Sequence, residues 1–222
     1  MHNKTVIAFD LMGTLLDLSA LDKRFEAEFG QAQLRREWFS EVLKLALAIT
    51  AAGGYESFSE ITQAALKVIE VRYQYELSPS RRTRLLEGLR DLPAFPDVAA
   101  GLQQLKSAGY KLIVLTNSRA EAGRAALESA GLFNLLDIVL SAEQVTRLKP
   151  APEPYRMAAR ETAVEPNEML LVAAHSWDVA GAKRAGCRAA FVRRPQQVLD
   201  ELTPKPDYVI LDLLELALEL NR

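Results

Sequence analysis

The strongest constraint in this chain is a rhythm that is broken once. From residue 95 onward, short apolar or β-branched runs alternate with amphipathic helical stretches. The runs fall at 111–117 (KLIVLTN), 137–141 (DIVLS), 169–175 (MLLVAAH), 188–193 (RAAFVR) and 207–211 (DYVIL), with helical periods at 98–108, 120–130, 154–162 and 179–185 between them. Continuous apolar runs separated by helices indicate parallel strands buried on both faces, so the spacing predicts an α/β doubly wound sheet flanked by helices. Residues 5–10 (TVIAFD) read as one more such strand, separated from the rest. Residues 18–91 carry no strand signal, and helical spacing recurs at 25–29, 34–50, 58–75 and 80–89. The simplest architecture is a Rossmann-like core of residues 1–17 and 92–222. A helical cap, residues 18–91, is inserted after the first strand, and the proline-bearing segment 92–97 (LPAFPD) forms the return hinge.

Composition narrows the partners. Of 222 residues, 49% are hydrophobic and 25% charged, ordinary for a folded enzyme, and 27 basic against 29 acidic residues leave a formal charge of −2. A chain so balanced has no global attraction for nucleic acid or an anionic membrane, and a small molecule is the expected partner. A single cysteine, Cys187, cannot form an internal disulfide. Neither a signal-peptide core before Asp10 nor a bilayer-length apolar run is evident, so a cytoplasmic location is expected.

In a parallel sheet, ligands bind beyond the carboxyl ends of the strands. The first strand delivers Asp10 into a turn ending Gly13-Thr14, the second ends Thr116-Asn117-Ser118, the loop after the third gives Lys149-Pro150, and the fourth ends His175-Ser176-Trp177-Asp178. Singly, each has a bland reading. Asp10 and Asp178 suit turns or helix N-caps, Thr116 and Asn117 suit the cap of the helix near 120, and Lys149 suits solvent. Their convergence on successive strands is what those readings leave unexplained.

The motifs FDxxGTL at 9–15, LTN at 115–117, Lys149-Pro150 and a fourth ending in Trp177-Asp178 resemble the haloacid dehalogenase superfamily over the whole chain. That resemblance implies Asp10 as a nucleophile that forms an aspartyl ester, later hydrolysed by water. Phosphatases of the superfamily carry a second aspartate two positions on, where this chain has Met12, and an acidic pair for Mg²⁺ where it has Ala174 and Asp178. The pattern resembles instead the metal-free, cofactor-free L-2-haloacid dehalogenase branch, including the spacing of Lys149 and Tyr155. By position, Asp10 attacks the halogenated carbon, Thr14, Lys149 and Tyr155 hold its carboxylate, Thr116 stands where serine is common, Asn117 faces halide or substrate, and Asp178 helps activate water. Leu11, Met12, Ile49, Asn117 and Trp177 are expected to border the substrate.

Three departures stand out, one being that Ala173 and Ala174 replace serines that would hydrogen-bond around the site. His175 replaces an asparagine, as a base for water or as a hydrogen-bonded spacer. The branch's cap arginine aligns with Ile49, with Arg35, Arg36 or Lys44 as substitutes from another register. A hydrolase of another small, phosphorylated substrate and a non-catalytic ligand-binding descendant remain the alternatives. A homodimer is what such dehalogenases often form.

Overall fold

The computed structural model describes residues 6–221, so Thr5, the first residue of the expected first strand, lies outside the described residues. Six parallel strands form one sheet: β1 (Val6–Phe9), β2 (Lys111–Thr116), β3 (Ile138–Ser141), β4 (Met169–Ala173), β5 (Arg188–Val192) and β6 (Tyr208–Ile210), in the order β3-β2-β1-β4-β5-β6. The strand separated in sequence is thus central in space. Phe9, the last residue of β1, stands in register with Val114 on one side and Val172 on the other, so β2 runs two residues and β4 one residue past the end of β1. β1 and β4 are buried on both faces, as their unbroken apolar runs require.

Between β1 and β2 the chain forms α1 (Asp22–Phe29), α2 (Leu34–Ala51), α3 (Phe58–Arg72) and α4 (Pro79–Glu87). Local chemistry sets their limits. Ser57 and Glu60 make a reciprocal capping box at the start of α3, and Ser78 caps α4 with Pro79 in its first turn. Buried side chains then tie the helices together. The Trp38 Nε1 on α2 donates to the Thr62 carbonyl on α3 at 3.0 Å. Arg82 on α4 makes two hydrogen bonds to Glu70 on α3, a carboxylate with no exposure. A single apolar cluster runs from Ile7 and Phe9 in the sheet through Phe25 and Trp38 in the helices.

The remaining helices are α5 (Val98–Ser107), α6 (Ala120–Ser129), α7 (Pro152–Glu161), α8 (Ser176–Arg184) and α9 (Leu213–Leu220). One boundary differs from the sequence reading in a way that matters. α8 begins at Ser176, not near 179, because the extended His175 offers its carbonyl to the backbone N–H groups of Asp178 and Val179. Trp177 and Asp178 are therefore fixed in a first helical turn. Among the described residues no helix is long and apolar enough to cross a membrane.

Candidate active site

The turn after β1 is wound on one carbonyl. The Leu11 oxygen accepts hydrogen bonds from the N–H groups of Thr14, Leu15 and Leu16, and Gly13 takes the left-handed conformation (φ 78°) that closes so tight a turn. The winding brings the Thr14 hydroxyl back to Asp10 Oδ2 at 2.7 Å, while the Ala174 N–H donates to that same hydroxyl at 3.0 Å. The ends of β1 and β4 are thereby joined through the nucleophile candidate.

Lys149 Nζ donates to Asp10 Oδ1 at 2.9 Å and to Asp178 Oδ2 at 2.7 Å. All three side chains are buried. The chain itself thus supplies the cation that two adjacent buried carboxylates demand. Burial pushes the Asp10 carboxyl up, but the Lys149 ammonium and the His175 hydrogen bond outweigh it and hold Asp10 well below the usual carboxylate range. Asp178 goes the other way, raised by burial and by the negative charge of Asp10 against the pull of Lys149. Lys149 stays firmly cationic: burial lowers it, and the two carboxylates more than compensate. Among the described residues no group of three or more His, Cys, Asp and Glu side chains is placed to hold a metal.

Several expected roles are corrected by where the side chains lie. Tyr155 does not hold Asp10; its hydroxyl donates to Asp178 Oδ1. The hydroxyl is brought there by a close approach of α7 to α8 at Gly181, where a Cβ would come within 2.5 Å of it. With Lys149 on one oxygen and Tyr155 on the other, both oxygens of Asp178 are engaged, and the side chain is fully buried and does not line the cavity beside Asp10. Asn117 acts on the backbone: its Oδ1 accepts the Lys149 N–H at 2.8 Å and its Nδ2 donates to the Lys149 carbonyl at 3.3 Å. Thr116 neither caps α6 nor meets Asp10, and its hydroxyl accepts the Ser118 N–H. Leu11 is core, its side chain lying against Gly123 of α6.

A cavity of about 20 Å³ adjoins Asp10. Its polar edge is Asp10, Thr116, Asn117, Ser118, Lys149 and His175; its apolar wall is Met12, Phe39, Leu43, Phe58 and Trp177. Ile49 is not in that wall. Phe39 and Leu43 lie one turn apart on α2, whereas Ile49 is six residues further, about 240° round the helix, and closes over Gly54 instead. None of the substitutes reaches the cavity either. Arg35 pairs with Asp22 at 2.7 Å, Lys44 with Glu41, and Arg36 is exposed. Met12, Phe58 and Ser118 also border a cleft of about 700 Å³ between α3, α4 and α6, which leads outward.

One residue of the site's support escaped the sequence reading. Arg194, buried just beyond β5, donates from Nε to the Thr14 carbonyl at 3.0 Å and pairs with Asp97 through both terminal nitrogens. Its guanidinium lies 4.3 Å from the Phe95 ring centroid, so it ties the Asp10 turn to the segment returning from the helices. The strand-end rule that located Asp10 and Lys149 applies equally to the end of β5.

A nucleophilic carboxylate kept ionised by a buried lysine, at the end of the central strand of a parallel sheet, defines a hydrolase of the aspartyl-ester type. The sequence matches the family described as haloacid dehalogenase-like hydrolase over residues 4–186, and the chain belongs to that family. It is 34% identical over 188 residues to (S)-2-haloacid dehalogenase 4A of Burkholderia cepacia, covering 84% of this chain and 81% of that protein. The fold superposes on the L-2-haloacid dehalogenase RSc1362 with a TM-score of 0.93 at 28% identity, covering 99% of each chain. It also superposes on the L-2-haloacid dehalogenase of Xanthobacter autotrophicus with chloropropionic acid covalently bound, at a TM-score of 0.92 and 24% identity, covering 98% of each.

Proposed function

We propose that this protein hydrolyses the carbon–halogen bond of a small (S)-2-haloacid through a covalent ester on Asp10, without metal or other cofactor. The observation that carries the reading is the Lys149 ammonium, bonded at once to Asp10 and Asp178. It keeps Asp10 anionic, and only the anion is nucleophilic. An Asp10 oxygen attacks C2 opposite the halogen; the new C–O bond forms as the halide leaves with the bonding pair. A halide needs no proton, which suits the apolar Met12 beside the cavity. Thr14 orients the attacking carboxylate. Asn117 fixes the Lys149 backbone and, with the Ser118 hydroxyl, gives the polar edge against which the substrate carboxylate lies, near the start of α6. Water at the Asp10 carbonyl carbon then releases the 2-hydroxy acid with inverted configuration.

Residues 18–91 serve as the cap in this reading: α2 and α3 supply Phe39, Leu43 and Phe58 as the lid over Asp10, and the cleft past Met12 and Phe58 is the way in. A reducing, cytoplasmic setting suits a lone buried cysteine whose thiol burial pushes up to about 12. Pairing of two copies, which the family resemblance implies, belongs to the same reading.

The test is halide release from L-2-chloropropionate in EDTA, with Asp10→Asn beside the wild type. Continuous release by wild type alone, unchanged by EDTA, is expected. Absence of release, or release that EDTA stops, overturns the reading, and equal release by Asp10→Asn removes Asp10 from it.

A further inference from the structure

Hydrolysis of an ester on Asp10 needs a group that takes a proton from water. Among the described residues, the titratable side chains bordering the inner cavity are Asp10, Lys149 and His175. Asp10 is the esterified group itself. Lys149 is held protonated by two carboxylates. Asp178 lies outside the cavity with both oxygens engaged. His175 remains. Its Nδ1 is 3.1 Å from Asp10 Oδ2, and its Nε2 is buried with no hydrogen-bond partner. The ring is held flat against Trp177, with centroids 5.3 Å apart and planes 24° apart, and Phe39 packs at 6.3 Å. Gly13 leaves it room: a Cβ there would come within 3.1 Å of both Cε1 and Nε2. The charged groups around it are Asp10, in direct contact, and Lys149, 5.8 Å from the Trp177 ring centroid on which His175 stacks.

We infer that His175 is the base of the hydrolytic half-reaction, an assignment that rests on the haloacid reading above. With Asp10 ionised, the imidazole N–H at Nδ1 donates to Oδ2. Alkylation converts Asp10 to a neutral ester and removes that acceptor's charge, which leaves a neutral imidazole with one nitrogen free to accept. A water molecule gives one proton to that nitrogen as its oxygen bonds to the Asp10 carbonyl carbon. Collapse of the tetrahedral adduct breaks the bond to the 2-oxyacid, and the departing alkoxide takes the proton back from the imidazolium. The second proton of the water leaves the reformed Asp10 carboxyl for solvent. Carboxylate and neutral imidazole are restored, and the balance is haloacid plus water to hydroxy acid, halide and one proton. Asp178 acts one step back, positioning Lys149.

The experiment is acid-quenched mass spectrometry of the intact protein during turnover of L-2-chloropropionate, with halide counted in parallel, on wild type, His175→Asn and His175→Ala. Both variants are expected to release a burst of about one halide per site, to accumulate protein heavier by the substrate less hydrogen chloride, and to break that ester down about 10²–10⁴-fold more slowly. Added imidazole is expected to restore breakdown in His175→Ala, where the ring has left space, and not in His175→Asn. Ester breakdown at the wild-type rate in either variant overturns the assignment. So does a loss of the halide burst itself in folded His175→Asn, which would place His175 in the alkylation step. Wild type that releases no halide defeats the haloacid reading, and the assignment falls with it.

Discussion

The two sides of the cavity are built on opposite principles. On the sheet side, each charged group meets a partner of the chain's own: Asp10 has Thr14, Lys149 and His175, and Asp178 has Lys149 and Tyr155. On the helical side, Phe39, Leu43 and Phe58 offer hydrocarbon alone. In the haloacid reading, reactivity is thus written into strand ends, whose register the sheet enforces, while the surface that meets the rest of the substrate belongs to helices joined by loops. The second side can change without disturbing the first, which is how one nucleophile can be offered to differently shaped acids.

The largest break in that contrast is Lys149→Met. Removing the shared cation strands two buried carboxylates and is expected to cost about 3–5 kcal/mol in urea unfolding. The pH dependence follows from the directions. Asp10 is depressed, so its contribution is present above the ordinary carboxylate range and is lost as pH falls through its folded value. Asp178 is raised and works the opposite way, losing stability as pH rises through its own folded value. Without Lys149 both carboxyls shift upward and both oppose folding when ionised. The deficit relative to wild type should therefore widen as pH rises through the carboxylate range and narrow below it. A deficit flat with pH would mean that Lys149 acts by packing.

Next comes Phe39→Arg, which puts a guanidinium into the apolar wall. A charge-assisted hydrogen bond of about 1.5–3 kcal/mol corresponds to a KM for a short haloacid lowered about tenfold or more. An unchanged KM would place the substrate away from α2. Smallest is Ile49→Ala, expected to move kcat/KM less than about twofold, since Ile49 packs against the apolar cluster and does not line the cavity. A larger loss of kcat/KM would return Ile49 to the binding surface.

Much of the sheet side was legible. Unbroken apolar runs gave the strands, and their ends gave Asp10, Thr14, Lys149 and Asp178, because a strand can end in only one direction. What the sequence left open was phase. In α2 apolar residues stand at Trp38, Phe39, Val42, Leu43, Ala46 and Ile49, enough to wrap most of the helix, and nothing in the string says which stripe faces a sheet placed by residues far away. Ile49 was expected at the cavity by its alignment with the branch's cap arginine, and Phe39 and Leu43 line it instead. Tyr155 was misassigned for a related reason: spacing from Lys149 places it near the carboxylates, but only the close contact at Gly181 selects Asp178 over Asp10. Arg194 was invisible as a partner of Thr14 because 180 residues separate them.

The place of β1 has a consequence for how the molecule is made. Asp10 and Lys149 lie 139 residues apart in the chain. At about 5–20 residues per second, a ribosome finishing one is on the order of ten seconds from the other. For that interval an emerging Asp10 has no counter-ion, and β1 lacks β4, the neighbour that completes its place between strands. Burying it early would leave a bare carboxylate in apolar surroundings, so β1 is expected to join the sheet after the helices that follow it, rich in near-neighbour contacts, have organised. The charge proposed to make Asp10 a nucleophile is thus also expected to delay the closing of the sheet around β1 until Lys149 arrives.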